Sequence, residues 1–488
     1  MAKPIPGRAE VPHLLEQAGG LRPGAVDRVA QESRVPAADV YGVATFYSLI
    51  AQPEQPRVCS GLSCRLAGSI AEHGVSCLGQ CDRAPAALDA DGALRAGPPG
   101  DVLPDDPSLP INLGGADRDD ASAVLRAREL GVDALLETLE RSGLQGRGGA
   151  GFPAHLKWRA VRAERAAQKY LVVNADEGEP GTFKDRELLV RRPRLLLEGI
   201  AIAAEAVGAS QVYVYVRGEL RDAGNALQRA LLGARDLLGE LTVHVLWGHG
   251  AYICGEETAL LEAIEGRRGH PRLKPPFPTQ SGLWGAPTLV HNVETLALVP
   301  DIVLRGGERF RALGRKEPGT KLYCVSGHVV RPGVYELPLG STLDELVAVA
   351  GGYVGRPRAF SPGGASSGFL SMQHRALPLD AGSLSGVGSM LGSAGVVVLN
   401  DSVDLVQATL WQQRFFEAET CGQCAPCRVG CGLQRQALER FADSGDAAHL
   451  ADVPDVAWEM EQGSICGLGM VASQPLLSAM KHFPEDFS

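Results

Sequence analysis

Hydrophobic and polar positions divide the chain into segments of different periodicity. Between residue 121 and about residue 315, short runs rich in β-branched and aromatic residues alternate with helical stretches; the runs are KYLVVN (169–174), QVYVYVR (211–217) and LTVHVLW (241–247). Strands that alternate with helices along a chain usually form a parallel sheet. We therefore predict an α/β domain here, with ligand-binding loops at the carboxyl ends of its strands.

The flanking segments follow other patterns. Residues 9–50 contain two helical patterns, residues 320–400 begin with two short strands and a helix, and the pattern is helical again from Asp401. Residues 97–118 are rich in Pro, Gly and Asp, which is typical of a linker. The predicted division is an N-terminal domain (1–96), a linker (97–118), an α/β domain (119–318), a fourth segment (319–400) and a helical domain (401–488).

Composition excludes several classes of protein. The net charge is −10 and there is no basic run, which argues against nucleic acid as a partner. The most apolar stretch, 195–209, is interrupted by Glu198 and Glu205, so no membrane span is expected. The N-terminus MAKPIPGRAE lacks the apolar core of a signal peptide. The sequence therefore predicts a cytoplasmic protein.

One candidate ligand loop reads GRGGAGFPAHLKW (146–158) and has four glycines in its first six residues. Such a loop can wrap a flat, phosphate-bearing ligand with its backbone N–H groups. The signal is weak alone, because the chain has 60 glycines among 488 residues. A Rossmann site is disfavoured, since a helical pattern and not a strand precedes the loop. Pro153 can open a helix whose N-terminus would face an anion.

Further candidate loops follow the first and third predicted strands. NADEGEPGTFKDR places Asn174, Asp176, Glu177 and Glu179 in one loop, and GAYICGEETAL places Gly255, Glu256 and Glu257 at the start of a helix. Each motif alone fits an ordinary solvated turn or a helix N-terminus. Together with the glycine loop they favour one shared pocket, because loops at the carboxyl ends of neighbouring strands converge.

A proline-rich stretch, RRGHPRLKPPFPTQSGLWGAPT (267–288), resembles a lid or binding loop in composition. In it, Lys274 could meet a phosphate and Phe277 could stack on a base; a solvated cation and a buried anchor are the alternatives. The next motif, HNVETLA, offers Asn292 and Thr295 at a helix start, where capping is the plain explanation.

The eleven cysteines fall mostly into two groups. In the N-terminal group, Cys59 and Cys64 are spaced C-x4-C, and Cys77 and Cys81 are spaced C-x3-C. Four such thiolates suit a small iron–sulfur cluster. Zinc is the alternative, although structural zinc sites more often use C-x2-C pairs.

The C-terminal group contains Cys421, Cys424 and Cys427 in a C-x2-C-x2-C run, with Cys466 far along the chain. Three close thiolates and a remote fourth suit a 4Fe–4S cubane, whereas one zinc ion would be crowded by the run. Cys431 follows Cys427 after three residues and is a further thiol of this group.

These motifs carry a specific resemblance. GRGGAGFP, NADEGEPGTFKDR, GAYICGEETAL, RLKPPFPTQSGLWG and NVETLA resemble the flavin- and NADH-binding subunit of complex I and its soluble relatives, the diaphorase subunits of NAD-dependent formate dehydrogenases and bidirectional hydrogenases. The likeness covers roughly residues 120–475. It places Cys466 at the family's fourth-ligand position, which implies that Cys431 is surplus, a packed thiol on the helix after the loop. Residues 320–400 resemble the β-grasp domain that follows the flavin domain in this family. No residue there suggests chemistry, so a structural or partner-binding role is expected.

The N-terminal cysteine segments resemble the thioredoxin-like 2Fe–2S subunit that accompanies the flavin subunit. The gap between Cys64 and Cys77 is shorter than usual in that family, which implies an abbreviated domain that keeps all four thiols. The implied fold is α/β and multidomain: an abbreviated thioredoxin-like domain, an FMN- and NADH-binding α/β domain, a β-grasp domain and a helical 4Fe–4S domain.

The resemblance also implies residue roles. FMN would be held by Gly146, Arg147, Gly148, Gly149, Gly151, Lys157, Asn174, Asp176, Glu177, Gly255, Glu256, Asn292 and Thr295. NADH would contact Glu179, Glu257 and Lys274, and its adenine would stack on Phe152 and Phe277. Ala160 stands where the family often has a further aromatic residue, so NADH binding is expected to be weaker. The acids Glu179 and Glu257 would disfavour the extra phosphate of NADPH, which predicts NAD specificity.

The function that these cofactors imply is an NADH:acceptor oxidoreductase subunit, in which a flavin exchanges electron pairs with nicotinamide and single electrons with clusters. No side chain is required as nucleophile or general base. The expected partners are other iron–sulfur subunits and a large catalytic subunit. The fused 2Fe–2S domain, without a ferredoxin-like cysteine tail after Cys466, looks most like the β subunit of a molybdenum-dependent formate dehydrogenase. The hydrogenase diaphorase comes next, then complex I. A flavin and cluster relay that never contacts NAD, and a structural zinc protein, are the alternatives from other classes.

Overall fold

The computed structural model describes residues 7–70 and 75–488. Residues 71–74, in the short gap between Cys64 and Cys77, lie outside the described residues. The helical patterns of residues 9–50 form the helices Val11–Gln17, Ala25–Ser33, Ala37–Phe46 and Ser48–Ala51. The cysteine loops follow, with the helix Leu62–Leu66 and a small antiparallel sheet of Arg57–Val58, Ala87–Leu88 and Leu94–Arg95.

The α/β domain contains the predicted parallel sheet. Its strands lie in the order Thr242–Trp247, Gln211–Val216, Tyr170–Ala175 and Thr288–Asn292. The last strand was not predicted, because it follows a proline-rich loop and is only five residues long. The surrounding helices are Ser122–Leu130, Val132–Ser142, Ala154–Ala163, Lys184–Arg191, Pro193–Val207, Arg221–Leu232, Arg235–Leu238, Glu257–Ile264, Pro278–Ser281, Val293–Ala297, Val299–Arg305 and Gly307–Ala312.

The next domain is built on a mixed sheet. Its strands lie in the order Leu370–Ser371, Pro357–Ser361, Gly395–Asn400, Thr320–Gly327, Gly333–Pro338 and Asp101–Val102, and its helices are Leu343–Val349 and Ala381–Ser385. The strand Asp101–Val102 belongs to the predicted linker. The buried Glu336 carboxylate also accepts hydrogen bonds from the backbone N–H groups of Ile111 (3.2 Å) and Asn112 (2.8 Å). Residues 97–118 are thus bound to this domain, through a long-range pairing that local composition does not reveal.

The chain ends in the predicted helical domain. Its helices are Leu405–Glu419, Ala425–Ser444, Val453–Gly463, Gly467–Val471 and Gln474–His482. The α/β, multidomain fold class is confirmed. Within the described residues, none of the helices combines the length and the apolar character that a membrane span requires.

Candidate flavin and iron–sulfur sites

A cavity of about 380 Å³ lies at the carboxyl ends of the parallel strands, a size typical of cofactor sites. All three predicted loops reach it. The predicted residues that line it are Gly148, Gly149, Asn174, Asp176, Glu177, Glu179, Gly255, Glu256 and Asn292. Loops that are far apart in sequence therefore enclose one space.

The glycine loop is held by backbone contacts. The N–H of Gly146 donates to the Phe152 carbonyl (2.9 Å), and the N–H of Arg147 donates to the Thr295 hydroxyl (2.8 Å). Gly149 has φ of +129°, and a Cβ on Gly148 would lie 3.1 Å from the Cβ of Asn292. Side chains at these two positions would strain the backbone or crowd the cavity. The Thr295 hydroxyl thus holds the backbone of the glycine loop in place, although Thr295 itself does not line the cavity.

Two asparagines stand side by side at the strand ends, since Asn174 and Asn292 are paired in the parallel register. The Asn174 amide donates to the Gly255 carbonyl (2.8 Å), which joins the loops that follow the first and third predicted strands. The Asn292 side chain accepts from Glu294 N–H (3.0 Å) and caps the helix Val293–Ala297. The capping explanation is therefore correct for Asn292, which also lines the cavity.

Three acids in the cavity wall, Asp176, Glu177 and Glu179, have pKa values that burial raises. Burial raises the pKa of Asp176 well above its ordinary value, and its Oδ2 atom has no hydrogen-bond partner among residues 7–70 and 75–488. Burial, followed by the nearby Asp185, raises the pKa of Glu177 to about 7. Glu177 accepts from the backbone N–H groups of Asp185 (2.9 Å) and Arg186 (3.0 Å). The orphaned oxygen of Asp176 fits a ligand rich in donors, such as the ribityl hydroxyls and ring N–H of FMN.

Several wall residues were missed by the sequence analysis. From the same loops come Thr182, Lys184, Asp185 and Tyr252; from the 319–400 domain come Gly363, Ser366, Met390, Gly392 and Ser393; from the C-terminal domain come Gly467, Leu468 and Val471. Lys184 lies within a quoted motif, so its position in the loop was a signal. The residues of the 319–400 domain have no such signal. This domain, for which a structural or partner-binding role was expected, also contributes to the cavity wall.

The remaining predicted residues do not line the cavity: Gly146, Arg147, Gly151, Phe152, Lys157, Glu257, Lys274, Phe277 and Thr295. Lys157 pairs with Glu257 (2.8 Å), and Lys274 contacts both Glu256 (2.9 Å) and Glu257 (3.1 Å). The Lys274 pairs hold the loop 267–288 to the N-terminus of the helix Glu257–Ile264, and the Lys157 pair links the same helix to the helix Ala154–Ala163. The Phe152 and Phe277 side chains are about half exposed, at 48% and 51%.

The C-terminal thiols surround a small void. Cys421, Cys424, Cys427 and the distant Cys466 all line it. The backbone N–H of Ile465 donates to the Cys424 sulfur (3.5 Å). Backbone N–H groups on thiolate sulfur are a usual feature around iron–sulfur clusters. The donor set therefore fits a cubane with four thiolate ligands.

Cys431 does not line this void but is buried on the helix Ala425–Ser444. A hydrogen bond with the Cys427 thiol raises the pKa of Cys431 and lowers that of Cys427 to about 7. Ile253 and Leu468 line both the void and the large cavity. A single layer of side chains thus separates the two spaces.

The N-terminal thiols Cys59, Cys64, Cys77 and Cys81 are all buried. The sulfurs of Cys77 and Cys81 lie 3.3 Å apart, and Cys59 accepts from the Leu78 N–H (3.4 Å). The Cys59 thiol donates hydrogen bonds to the sulfurs of Cys64 and Cys77, and this raises the pKa of Cys59. The four thiols form one group, which fits a 2Fe–2S cluster in donor type and number. In residues 7–70 and 75–488, no three His, Cys, Asp or Glu side chains are arranged to hold a single metal ion.

Family models match most of this architecture. They are the Nuo51 FMN-binding domain (139–301), the NADH-ubiquinone oxidoreductase-F iron-sulfur binding region (407–488), the SLBB domain (322–370) and the thioredoxin-like [2Fe-2S] ferredoxin (12–73). An F subunit of the NADH-quinone oxidoreductase of Rhizobium meliloti is 46% identical over 370 residues, which are 73% of this chain and 88% of that protein. The chain belongs to the family of NADH-quinone oxidoreductase F subunits.

Other members of the family and one solved structure agree. The corresponding F subunit of Aquifex aeolicus is 42% identical over 386 residues, covering 75% of this chain and 88% of that protein. A chain of an NAD⁺-reducing [NiFe]-hydrogenase, solved in the air-oxidised state, superposes with a TM-score of 0.87 at 31% identity, covering 99% of this chain and 93% of its own. The FMN, 4Fe–4S and 2Fe–2S cofactors expected from the sequence are thus confirmed at the level of matched domains.

Proposed function

We propose that this member of the family exchanges hydride between NADH and FMN and passes single electrons to its clusters. One observation carries the proposal: the cavity formed by the three loops shares Ile253 and Leu468 with the void of the C-terminal thiols. In this proposal residues 1–96 carry the 2Fe–2S cluster, 119–318 the flavin and 401–488 the cubane.

When bound, FMN would supply the conversion between the two-electron chemistry of a nicotinamide hydride and the single electrons that iron–sulfur clusters accept. The chain's own residues provide its surroundings. Gly148 and Gly149 allow close backbone approach, the Oδ2 atom of Asp176 would accept a hydrogen bond from the ligand, and Lys184, paired with Asp185 and Glu294, places an ammonium group in the wall. Charge placed in advance in a water-poor site stabilises developing charge better than water does.

NADH is proposed to enter over the lid side of the cavity. Phe152 and Phe277 offer half-exposed rings for the adenine, and Lys274 offers a cation for a phosphate. Glu179 lines the cavity and accepts from the Tyr252 hydroxyl (2.5 Å) and the Ser366 N–H (2.8 Å). A carboxylate fixed there disfavours the additional phosphate of NADPH, so NAD is the proposed substrate.

The partner is proposed to be a large molybdenum-containing subunit with further iron–sulfur subunits, in a cytoplasmic NAD-dependent formate dehydrogenase. The resemblance of the fused N-terminal 2Fe–2S domain and flavin domain to the β subunit of such an enzyme is the ground for this proposal. The second candidate is the diaphorase of a hydrogenase, which is favoured by the superposition over 99% of the chain on a chain of an NAD⁺-reducing [NiFe]-hydrogenase. Purification of the native complex decides between them: co-purifying molybdenum and formate-dependent NAD⁺ reduction support the first, and nickel with hydrogen-dependent reduction supports the second.

The activity itself is tested by anaerobic addition of NADH to the FMN-loaded chain. The flavin absorbance is expected to bleach. An unchanged spectrum would instead support the relay that never contacts NAD, and zinc without iron in metal analysis would support a structural zinc protein.

A further inference from the structure

A buried arginine lies between the loop of the N-terminal thiols and the loop of the flavin cavity. Arg217 follows the strand Gln211–Val216 and is only 6% exposed. One terminal nitrogen of its guanidinium donates to the Cys77 carbonyl, and the other donates to the Glu177 carbonyl (3.0 Å). Cys77 is a proposed cluster ligand, and Glu177 lines the cavity. One side chain thus contacts the backbone of both sites.

The same two loops approach closely at Gly79. A Cβ built on this glycine would lie 3.9 Å from the Arg217 guanidinium and 4.0 Å from the Glu177 carbonyl oxygen. Arg186 provides a second contact, since its guanidinium donates to the Gly79 carbonyl (2.6 Å) and to Asp82 (2.7 Å). The loop 77–82 is therefore fastened to the α/β domain by two buried arginines.

The two buried arginines differ in the number of carboxylates that their guanidinium groups contact. Arg186 is paired with both Asp82 (2.7 Å) and Glu187 (2.9 Å). Among the residues that the structure describes, Arg217 has one carboxylate partner in direct contact, Glu219 at 3.2 Å, and that side chain is 7% exposed. Charges in a poorly solvated region act over longer distances than charges in water. Arg217 and Glu219 thus form a buried pair beside Cys77, with the cation at its carbonyl.

We propose that Arg217 is a positioning residue that joins the ligand loop of the 2Fe–2S site to the flavin loop and, through its charge, raises the reduction potential of that cluster. A cation beside a cluster favours the reduced form, which carries one more negative charge. This inference rests on the proposed assignment of Cys59, Cys64, Cys77 and Cys81 as ligands.

The test is a redox titration of the full chain, loaded with FMN and both clusters and followed by EPR of the 2Fe–2S signal. Arg217→Gln is expected to shift the equilibrium at least tenfold towards the oxidised cluster, which lowers the potential by about 59 mV for one electron. Arg217→Lys keeps the charge and is expected to shift it less. Glu219→Gln removes the negative partner and is expected to shift the potential upward. Arg229→Gln, at an exposed arginine on the helix Arg221–Leu232, is the control and should leave it unchanged.

The possible outcomes distinguish a failure of the proposed role of Arg217 from a failure of the ligand assignment. An unchanged potential in a cluster-loaded Arg217→Gln protein would overturn the inference. If that variant does not retain the cluster, Glu219→Gln decides, because the absence of an upward shift there also overturns it. A wild-type chain with no 2Fe–2S signal after iron loading would overturn the ligand assignment itself, whatever the NADH-dependent bleaching shows.

Discussion

The ammonium group of Lys184 lies 3.0 Å from the carboxylate of Glu294, and both side chains are buried. Lys184 also pairs with Asp185 (2.7 Å) and lines the cavity, while Glu294 pairs in turn with Lys321 on the strand Thr320–Gly327. A series of buried ion pairs therefore connects the cavity wall to the 319–400 domain. Removing one partner of a buried pair leaves the other charge uncompensated, at a cost of about 3–5 kcal/mol.

Lys184→Met is therefore expected to weaken FMN binding by about tenfold, or about 1.4 kcal/mol. The variant removes a cation from the wall and leaves Asp185 and Glu294 less well compensated. Flavin fluorescence, titrated against the FMN-depleted chain, measures the affinity. Lys316→Met removes an exposed lysine and serves as the control. Equal FMN affinity in a folded Lys184→Met protein would contradict the proposed role.

The two acids proposed to select NAD differ in their surroundings. Glu257 is paired with Lys157 (2.8 Å) and Lys274 (3.1 Å), so its charge is largely neutralised. Glu179 accepts hydrogen bonds from the neutral groups Tyr252 and Ser366. We therefore expect Glu179→Gln to raise kcat/KM for NADPH relative to NADH by about tenfold, equivalent to about 1.4 kcal/mol. Glu257→Gln should change this ratio much less.

Steady-state kinetics with both nucleotides measure that ratio. Wild-type turnover of NADPH at a rate comparable to that of NADH would refute NAD selectivity. A larger effect from Glu257→Gln than from Glu179→Gln would show that the selectivity lies with the other acid.

Cys427 and Cys431 share a hydrogen bond but are expected to differ in function. Cys427 lines the void with three other thiols and Cys431 does not. Cys427→Ser is expected to lower iron content by about the four atoms of one cubane, while Cys431→Ser should retain them. Iron analysis and EPR of the reduced protein measure whether each variant retains the cubane. Loss of the cubane signal in Cys431→Ser alone would reverse the assignment.

His291 predicts a dependence of stability on pH. Burial and the nearby Lys157 lower its pKa to about 3, and its Nε2 accepts from the Trp158 indole N–H (2.8 Å). In the unfolded chain an imidazole has a pKa of about 6.5. Its contribution is thus complete above about pH 6.5 and is lost as pH falls towards the folded value.

Between about pH 6.5 and 5 the free energy of unfolding falls by about 2 kcal/mol, because it changes by about 1.4 kcal/mol per pH unit for each additional proton that the unfolded chain binds. His291→Gln does not titrate and should lose that much less stability over the same interval, as measured by urea unfolding of the full chain. His13→Gln, at an exposed histidine, should keep the wild-type dependence. Identical pH profiles for wild type and His291→Gln would exclude this role.

Many structural features of the protein are predictable from the residues of one short stretch of sequence. The strands Tyr170–Ala175, Gln211–Val216 and Thr242–Trp247 carry their own periodicity, and the two cysteine groups carry their own spacing. Asn292 at a helix start is likewise visible in a few neighbouring residues. Each of these signals is contained within one short stretch, so the sequence alone determined the fold class and the residue types offered to the cofactors.

The tertiary structure decided which residues come into contact with one another. Ser366 and Gly392 reach the cavity from another domain, Ile253 and Leu468 stand between two sites, and Arg217 contacts Cys77, which is 140 residues earlier in the chain. The strand Asp101–Val102 and the segment around Ile111 are held by partners more than 200 residues away. Such contacts depend on how the domains pack, and no short stretch of sequence encodes them, because the partners are adjacent only after folding.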